Sequence, residues 1–250
     1  MAGAAPGCCA TLRRHMAGPV QLAPHVWRIP TAPRDMVNSF AFEDADGSLT
    51  LVDCGLKGMA PKRIAASIAA LGKQPSDVRR ILLTHAHNDH AGGLARVQRL
   101  TGGDVSAHDD EARWVRDGRP PPPNRHTVIG RIANLLPARI ERCEVRSTFG
   151  DGELLDVAGG LRVVHTPGHT MGHCSFLHEP SGVLITGDSL FNWFERMRWS
   201  YKLFCTDFPL SKQTAERLGE VDYEVVAFTH GREIRDGARE KVRTFLRTHS

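Results

Sequence analysis

The sequence predicts a four-layer α/β fold, two β-sheets face to face with helices on their outer sides. Three observations carry this reading: apolar or alternating runs of strand length, stretches of helical periodicity after them, and the repetition of that strands-then-helices order in both halves of the 250 residues. From Val26 the chain reads as strands, with Val37 to Phe42 and Ser48 to Asp53 joined through Asp46-Gly47, a dipeptide that favours a tight hairpin turn. Ile64, Ile68 and Leu71 then recur at helical spacing in an alanine-rich stretch that closes at Gly72. Ile81-Leu82-Leu83 is a short apolar run of the kind a buried strand needs, and it delivers Thr84 and His85 at its tip. A second helix is expected from near Asp89 through Leu94, Val97 and Leu100, and a third over 108 to 116.

Residues 117 to 137, with prolines at 120 to 123, read as an irregular excursion rather than a linker, because hydrophobic patterning resumes on both sides. Strands follow over 153 to 156, 161 to 165, 173 to 178 and 183 to 186, the last two joined by Ser181-Gly182. A helix over 211 to 218, a strand over 225 to 228 and a closing helix whose Ile234, Ala238, Val242, Phe245 and Leu246 share a face complete the chain. Residues 1 to 18 read as a flexible extension and 19 to 250 as one domain.

Hydrophobic residues at 41% and charged residues at 24% exclude the composition of disordered chains. No window holds the roughly 18 apolar residues that span a bilayer, and the opening segment, with its arginines after a short glycine-rich run, lacks a signal peptide's order. A net charge of +4 spreads too thinly to call for a nucleic-acid partner. The six cysteines, at 8, 9, 54, 143, 174 and 205, show no Cys-x-x-Cys spacing and fit a reduced, cytoplasmic setting, with adjacent Cys8 and Cys9 left without an assigned role. Histidine is the unusual entry in the composition, thirteen in this length, and neutral imidazole is the commonest biological metal ligand.

Three imidazoles and a carboxylate fall within six residues of Thr84-His85-Ala86-His87-Asn88-Asp89-His90-Ala91-Gly92-Gly93. Alternating His85 and His87 can turn both rings to one ion, while Asp89 and His90 emerge further round the turn and can reach a second. Four residues of one loop cannot close two coordination shells, so further ligands must come from elsewhere. His169 in Thr166-Pro167-Gly168-His169, Asp188 after Leu184-Ile185-Thr186-Gly187, and His230 after Val225-Val226-Ala227-Phe228-Thr229 each sit just beyond an apolar run, the same context as the loop. His165 and His173, which flank the Pro-Gly-His turn, read either as strand histidines with ordinary hydrogen bonds or as residues that support the ligands.

This set of motifs resembles the metallo-β-lactamase superfamily, whose pattern is an early Asp, then His-x-His-x-Asp-His, then a His, an Asp and a His at later strand ends. The matching positions are Asp53 in Leu51-Val52-Asp53-Cys54-Gly55, the 85 to 90 loop, His169, Asp188 and His230, and the resemblance extends over about residues 25 to 248. It implies an αββα sandwich of two mixed sheets, one metal held by His85, His87 and His169, a second by Asp89, His90 and His230, and Asp188 bridging the pair. Asp53 is implied as a support for the histidines rather than a ligand. Imidazole and carboxylate donors without thiolate suit two zinc ions, and also iron or manganese.

The activity this implies is metal-dependent hydrolysis of an ester, thioester or lactone of a small molecule by hydroxide generated at the metals, with Asp89 as the catalytic residue that orients it. Gly187-Asp188-Ser189-Leu190-Phe191 looks like the corresponding segment of hydroxyacylglutathione hydrolases, whereas Asn192-Trp193-Phe194-Glu195 does not. The aspartate at 188 argues against β-lactam hydrolysis as the main activity, and Phe191 stands where acyl-homoserine lactonases often carry a tyrosine. Two alternatives stay open: an acyl-homoserine lactonase, and a mononuclear iron oxygenase of the persulfide dioxygenase type. Residues 191 to 204 gather Phe191, Trp193, Phe194, Trp199, Tyr201 and Phe204 with Arg196, Arg198 and Lys202. They read either as a substrate-binding lid, its cations facing an acidic group, or as an insertion packed on the body or at a homodimer surface.

Overall fold

Seven strands form one sheet in chain order: β1 Val20–Ala23, β2 Val26–Pro30, β3 Asn38–Glu43, β4 Leu49–Val52, β5 Val78–Leu82, β6 Asp104–His108 and β7 Ser147–Phe149. The first four pair antiparallel and the last four parallel, so the sheet is mixed. Strands β8 Leu154–Leu155, β9 Leu161–His165, β10 Cys174–His178, β11 Val183–Ile185 and, after the separate hairpin β12 Leu190–Trp193 and β13 Arg196–Trp199, β14 Val225–Ala227 make the rest. The second sheet has the order β14-β11-β10-β9-β8, with β11 and β14 parallel. The computed structural model describes residues 18–124, 128, 131 and 139–249. Residues 1 to 17, with Cys8 and Cys9, and most of 125 to 138 in the expected excursion lie outside the described residues.

Successive side chains of a strand point to opposite faces, and here both faces are buried. Phe40, Phe42, Val52 and Leu82 point into the space between the sheets, where they meet Val163, Phe176, Ile185 and Ala227. Their neighbours Ala41, Leu51 and Ile81 turn the other way, onto Ile64 and Ile68 of α1 (Ala60–Ala70) and Leu94 and Val97 of the helix Leu94–Thr101. On the second sheet Val164, Leu184 and Val226 point outward onto the C-terminal helix Ala238–Thr248 through Val242, Phe245 and Leu246. The layers are therefore helix, sheet, sheet, helix, as the sequence predicts.

Two local expectations change. The helix expected from Asp89 to Leu100 is two helices, α2 Asn88–Ala91 and α3 Leu94–Thr101, separated at Gly92 and Gly93. The break presses the backbone against the exit of β4: a Cβ on Gly93 would stand 2.2 Å from the Cys54 carbonyl oxygen, so only glycine fits. Ile234 does not begin the closing helix but forms an isolated antiparallel bridge with Val226. That helix starts after Gly237. The helix expected over 108 to 116 is α4, Asp109–Asp117, and the one over 211 to 218 is α5, Phe208–Ala215, continued by a 3-10 turn; the closing helix Ala238–Thr248 is α6.

Strands β4, β5, β9, β11 and β14 all end at one rim of the sandwich. There the sheets are stitched together: Cys174 N–H donates to the Thr84 carbonyl at 2.9 Å and Asn38 N–H to the Thr229 carbonyl at 2.8 Å. Every residue singled out as a ligand follows one of these strand ends.

Candidate metal centre

Leaving β5, the chain places His85 with no exposure and His87 partly open; the turn into α2 then brings Asp89 and buried His90 round the same point. His169 follows β9, Asp188 follows β11 and His230 follows β14, each 4% exposed or less. The histidine nitrogens face one another: His85 Nε2 lies 3.1 Å from His87 Nδ1, which lies 2.9 Å from His169 Nε2. Tetrahedral donors about 2.0–2.1 Å from a zinc ion stand roughly 3.3 Å apart, so the three lone pairs converge as they would on one cation. His90 Nε2 and His230 Nε2 are 3.3 Å apart, and Asp89 Oδ2 is 3.4 Å from the latter. Ligand atoms within 4.8 Å of one another thus form the groups His85, His87, His169 and Asp89, His90, His230.

Asp188 faces both. Its Oδ2 lies 3.2 Å from His169 Nε2 and its Oδ1 3.2 Å from both His90 Nε2 and His230 Nε2. Burial raises the pKa of this carboxyl, but the surrounding imidazoles of His230, His90 and His169 outweigh it and hold it well below the usual range. Burial lowers the pKa of His85 and His169 well below that of free histidine, keeping them neutral with lone pairs available. At His90 and His230 burial pulls the same way, yet the carboxylates, Asp188 first, reverse it and raise both. Anionic and neutral donors buried together without thiolate fit a divalent cation, which would replace the protons that His90 and His230 otherwise attract.

A layer of supporting hydrogen bonds sets the ring orientations. Buried Asp53 accepts from His90 Nδ1 at 2.8 Å, from the Thr84 hydroxyl at 2.8 Å and from Thr84 N–H at 2.9 Å, leaving His90 Nε2 to face the centre. His230 Nδ1 donates to the Met36 carbonyl at 2.6 Å. That loop is held by buried Arg28, which donates to Asp35 at 2.7 Å, Asn38 at 3.0 Å and Glu233 at 2.9 Å. Thr229 hydroxyl donates to Asp188 Oδ1 at 2.9 Å.

One residue of this layer carried no assignment in the sequence. Glu111, fully buried on α4, accepts from Ala86 N–H at 2.7 Å and Gly172 N–H at 3.0 Å, clamping the 85 to 90 loop to the loop after His169. Burial raises its pKa. For His173 the structure favours the supporting reading, since its ring accepts the backbone N–H of Asp188. A single acid in an amphipathic helix has no motif; only a charged residue at a core-facing helical position signals it.

The aromatic run divides by strand register. Phe191 and Trp193 pair with Arg198 and Arg196, while Leu190 and Asn192 pair with Trp199 and Met197, so the two sets occupy opposite faces of the hairpin. Phe191 packs on His230 with ring centroids 4.5 Å apart and Trp193 at 5.9 Å; Tyr201 lies 5.4 Å from Trp193. Trp199 is on the other face, its ring tilted against Phe245 at 5.1 Å and its indole donating to the His249 carbonyl, and Phe194 is 80% exposed at the hairpin turn. Of the six aromatics in the run, the structure gathers Phe191, Trp193 and Tyr201 beside the centre, places Phe204 6.3 Å from Tyr201, and separates Trp199 and Phe194 from the centre.

A two-sheet sandwich with clustered His and Asp side chains at the strand ends defines a metallo-hydrolase scaffold, and comparison with known proteins agrees. The profile of the Metallo-beta-lactamase superfamily matches residues 32–230, and the chain belongs to that superfamily. The chain is 25% identical to the probable metallo-hydrolase YybB of Bacillus subtilis over 219 residues, covering 86% of this chain and 91% of that one. It is 35% identical to a hydroxyacylglutathione hydrolase of Pseudomonas savastanoi over 114 residues, which cover 44% of this chain and 33% of that protein. The match thus spans only a third of that hydrolase's length. Among solved structures, a motif mutant of the Cronobacter sakazakii metallo-β-lactamase superposes with a TM-score of 0.71 at 21% identity, covering 94% of this chain and 95% of that one, which speaks for the fold. A metallo-β-lactamase family protein of Thermus thermophilus gives 0.67 at 25% identity, over 91% and 81% of the two chains.

Proposed function

We propose that this chain is a dinuclear metal-dependent hydrolase that cleaves an ester, thioester or lactone bond of a small molecule. One observation carries the reading: the two oxygens of Asp188 are turned to different histidine sets, Oδ2 to His169 and Oδ1 to His90 and His230. A carboxylate serving a single ion has no need of that arrangement. When bound, a pair of zinc ions here would bring the pKa of water to about 7 and polarise a carbonyl oxygen.

The protein's own groups do the rest. Asp89, side chain 36% exposed, stands at the open side of the cluster with Oδ2 3.4 Å from His230 Nε2. From there it orients the attacking water and takes its proton. Water oxygen then bonds to the carbonyl carbon, the bond to the alcohol or thiol breaks, and the proton leaves with that group. His87 and Asp89 are the partly open members of the set, which marks the side of entry. The partner is a small molecule. The four described cysteines are free and buried, which supports a reducing, cytoplasmic location, and no helix among the described residues is long and apolar enough to cross a membrane.

Elemental analysis of the purified protein with a panel of esters, thioesters and lactones tests this. About two equivalents of zinc per chain, with turnover and metal content both lost in His87→Ala, are expected. Unaltered metal content and rate in that variant would overturn the mechanism. A single iron with oxygen uptake on glutathione persulfide would replace hydrolysis by the oxygenase alternative.

A further inference from the structure

The hairpin face that carries Phe191 and Trp193 does not end at His230. Phe191 and Trp193 stack at 5.5 Å, Tyr201 lies 6.2 Å from Phe191 and 5.4 Å from Trp193, and Phe204 lies 6.3 Å from Tyr201. The next residue, Cys205, has its sulfur 3.6 Å from His169 Nδ1, and Thr206 N–H donates to the His169 carbonyl at 2.8 Å. A row of rings therefore runs from His230, a ligand of one set, to Phe204, and the residues that follow it, Cys205 and Thr206, meet His169 of the other set. Tyr201 and Phe204 are 48% and 53% exposed, so the row presents apolar surface to whatever lies over the centre. Exposed aromatic surface is costly unless something covers it.

Register adds the second element. Arg198 lies directly across from Phe191 and Arg196 across from Trp193, on the same face. Opposed residues in an antiparallel pair have Cβ atoms about 4.5–5.5 Å apart, which sets Arg198 beside the ring that touches His230. Among the described residues neither guanidinium has an ion-pair or hydrogen-bond partner. The mounting is rigid: Asn192 N–H donates to the His230 carbonyl at 2.8 Å, its side-chain amide donates to the Arg232 carbonyl at 2.8 Å, and Trp199 fixes the reverse face to α6.

We infer that the β12–β13 hairpin selects the substrate: Phe191, Trp193 and Tyr201 hold an apolar body attached to the scissile carbonyl, and Arg198 binds an anionic group carried on that body. This rests on the hydrolytic reading above and narrows it to amphiphilic acyl esters, thioesters or lactones with a free acid group. A substrate recognised mainly by polar peptide contacts would gain nothing from a row of rings.

Three matched esters separate the contributions: nitrophenyl acetate, nitrophenyl hexanoate and the nitrophenyl half-ester of adipic acid, assayed on zinc-loaded protein. The added methylenes raise kcat/KM of the hexanoate over the acetate by roughly tenfold or more, and Trp193→Ala and Tyr201→Ala each shrink that ratio. The half-ester exceeds the hexanoate by about threefold at low salt, and Arg198→Ala brings that ratio to one. If the ring variants leave the hexanoate-to-acetate ratio unchanged, or Arg198→Ala leaves the half-ester ratio unchanged, the inference is wrong. Turnover of none of the three is a failure of the hydrolytic reading alone. The hairpin is then read from calorimetric binding of free hexanoate and adipate to the zinc-loaded protein. Weaker binding of both acids in Trp193→Ala, and of adipate selectively in Arg198→Ala, supports it, while identical affinities in wild type and variants overturn it.

Discussion

His173 Nε2 accepts the backbone N–H of Asp188 at 2.7 Å. The other ring nitrogen, Nδ1, lies 3.1 Å from the Thr166 carbonyl, a group that can only accept. His173 is therefore a neutral imidazole with its proton on Nδ1 and its lone pair fixed on Asp188. Gly187 makes the approach possible: its φ is +53° and a Cβ there would lie 2.4 Å from His173 Nε2. The carboxylate that faces both histidine sets is thus aimed by a histidine that ligates nothing.

This bond makes a pH-dependent contribution to stability. Burial pushes the His173 pKa down to about 3, so between about 6.5 and 3 the unfolded chain binds a proton that the folded chain refuses. Stability from this residue is intact above 6.5 and falls as pH drops, by about 2 kcal/mol at about pH 5. In urea titrations at a series of pH values His173→Gln, whose amide oxygen can still accept from Asp188, should show a shallower loss between pH of about 7 and 5 than wild type. Parallel curves would show that His173 is protonated in the folded protein.

The reach of sequence reasoning follows from the range of each interaction. The His85 to His90 cluster is legible because its members are adjacent in the chain, and His169, Asp188 and His230 because each ends an apolar run. The residues that aim them depend on pairings that no local pattern encodes. Met36 offers a backbone carbonyl to a ring 194 residues away, and Glu111 bonds two backbone amides from a separate helix. Strand register decided which aromatics face the centre: one position separates Phe191 from Leu190, and that step puts Trp199 against α6. The short strand β6, with only Val105 and Ala107 apolar, leaves too weak an alternation to be singled out.

Glu111→Gln tests the clamp between the two ligand loops. Glutamine keeps one acceptor but turns an NH2 toward the second backbone N–H, leaving that donor buried without a partner. A loss of about 2 kcal/mol or more in unfolding free energy is expected, together with a tenfold to hundredfold fall in zinc affinity, roughly the range for residues that orient ligands. Chelator competition measures the second effect separately from the first. Affinity equal to wild type in a folded variant would reduce Glu111 to a structural residue.

Asp53→Ala should act on one ion more than the other. It strips His90 Nδ1, Thr84 N–H and the Thr84 hydroxyl of their acceptor, so it acts on His90 directly and on His85 only through that hydroxyl, which lies 3.1 Å from His85 Nδ1. Zinc bound by Asp89, His90 and His230 is then released at lower chelator concentration, by roughly tenfold to a hundredfold, than the remaining equivalent. Equal weakening of both equivalents would mean that Asp53 supports the loop as a whole.

Metal binding should displace protons, and the direction comes from the two histidines that Asp188 and Asp89 draw upward. His90 and His230 gain protons in the folded chain because carboxylates outweigh burial, so their contribution to stability without metal is full below about 6.5 and is lost as pH rises through their raised values. A cation makes the same contacts with the carboxylates but does not titrate away. Zinc added to metal-free protein at about pH 7 is therefore expected to release at least about one proton per chain, seen as a dependence of the calorimetric heat on the buffer's own protonation enthalpy. The rise in melting temperature on adding zinc should be larger at about pH 8 than at about pH 6, on a base of about 2.7 kcal/mol when free zinc is a hundredfold above Kd. Heats independent of buffer would show that His90 and His230 are neutral before the metal arrives.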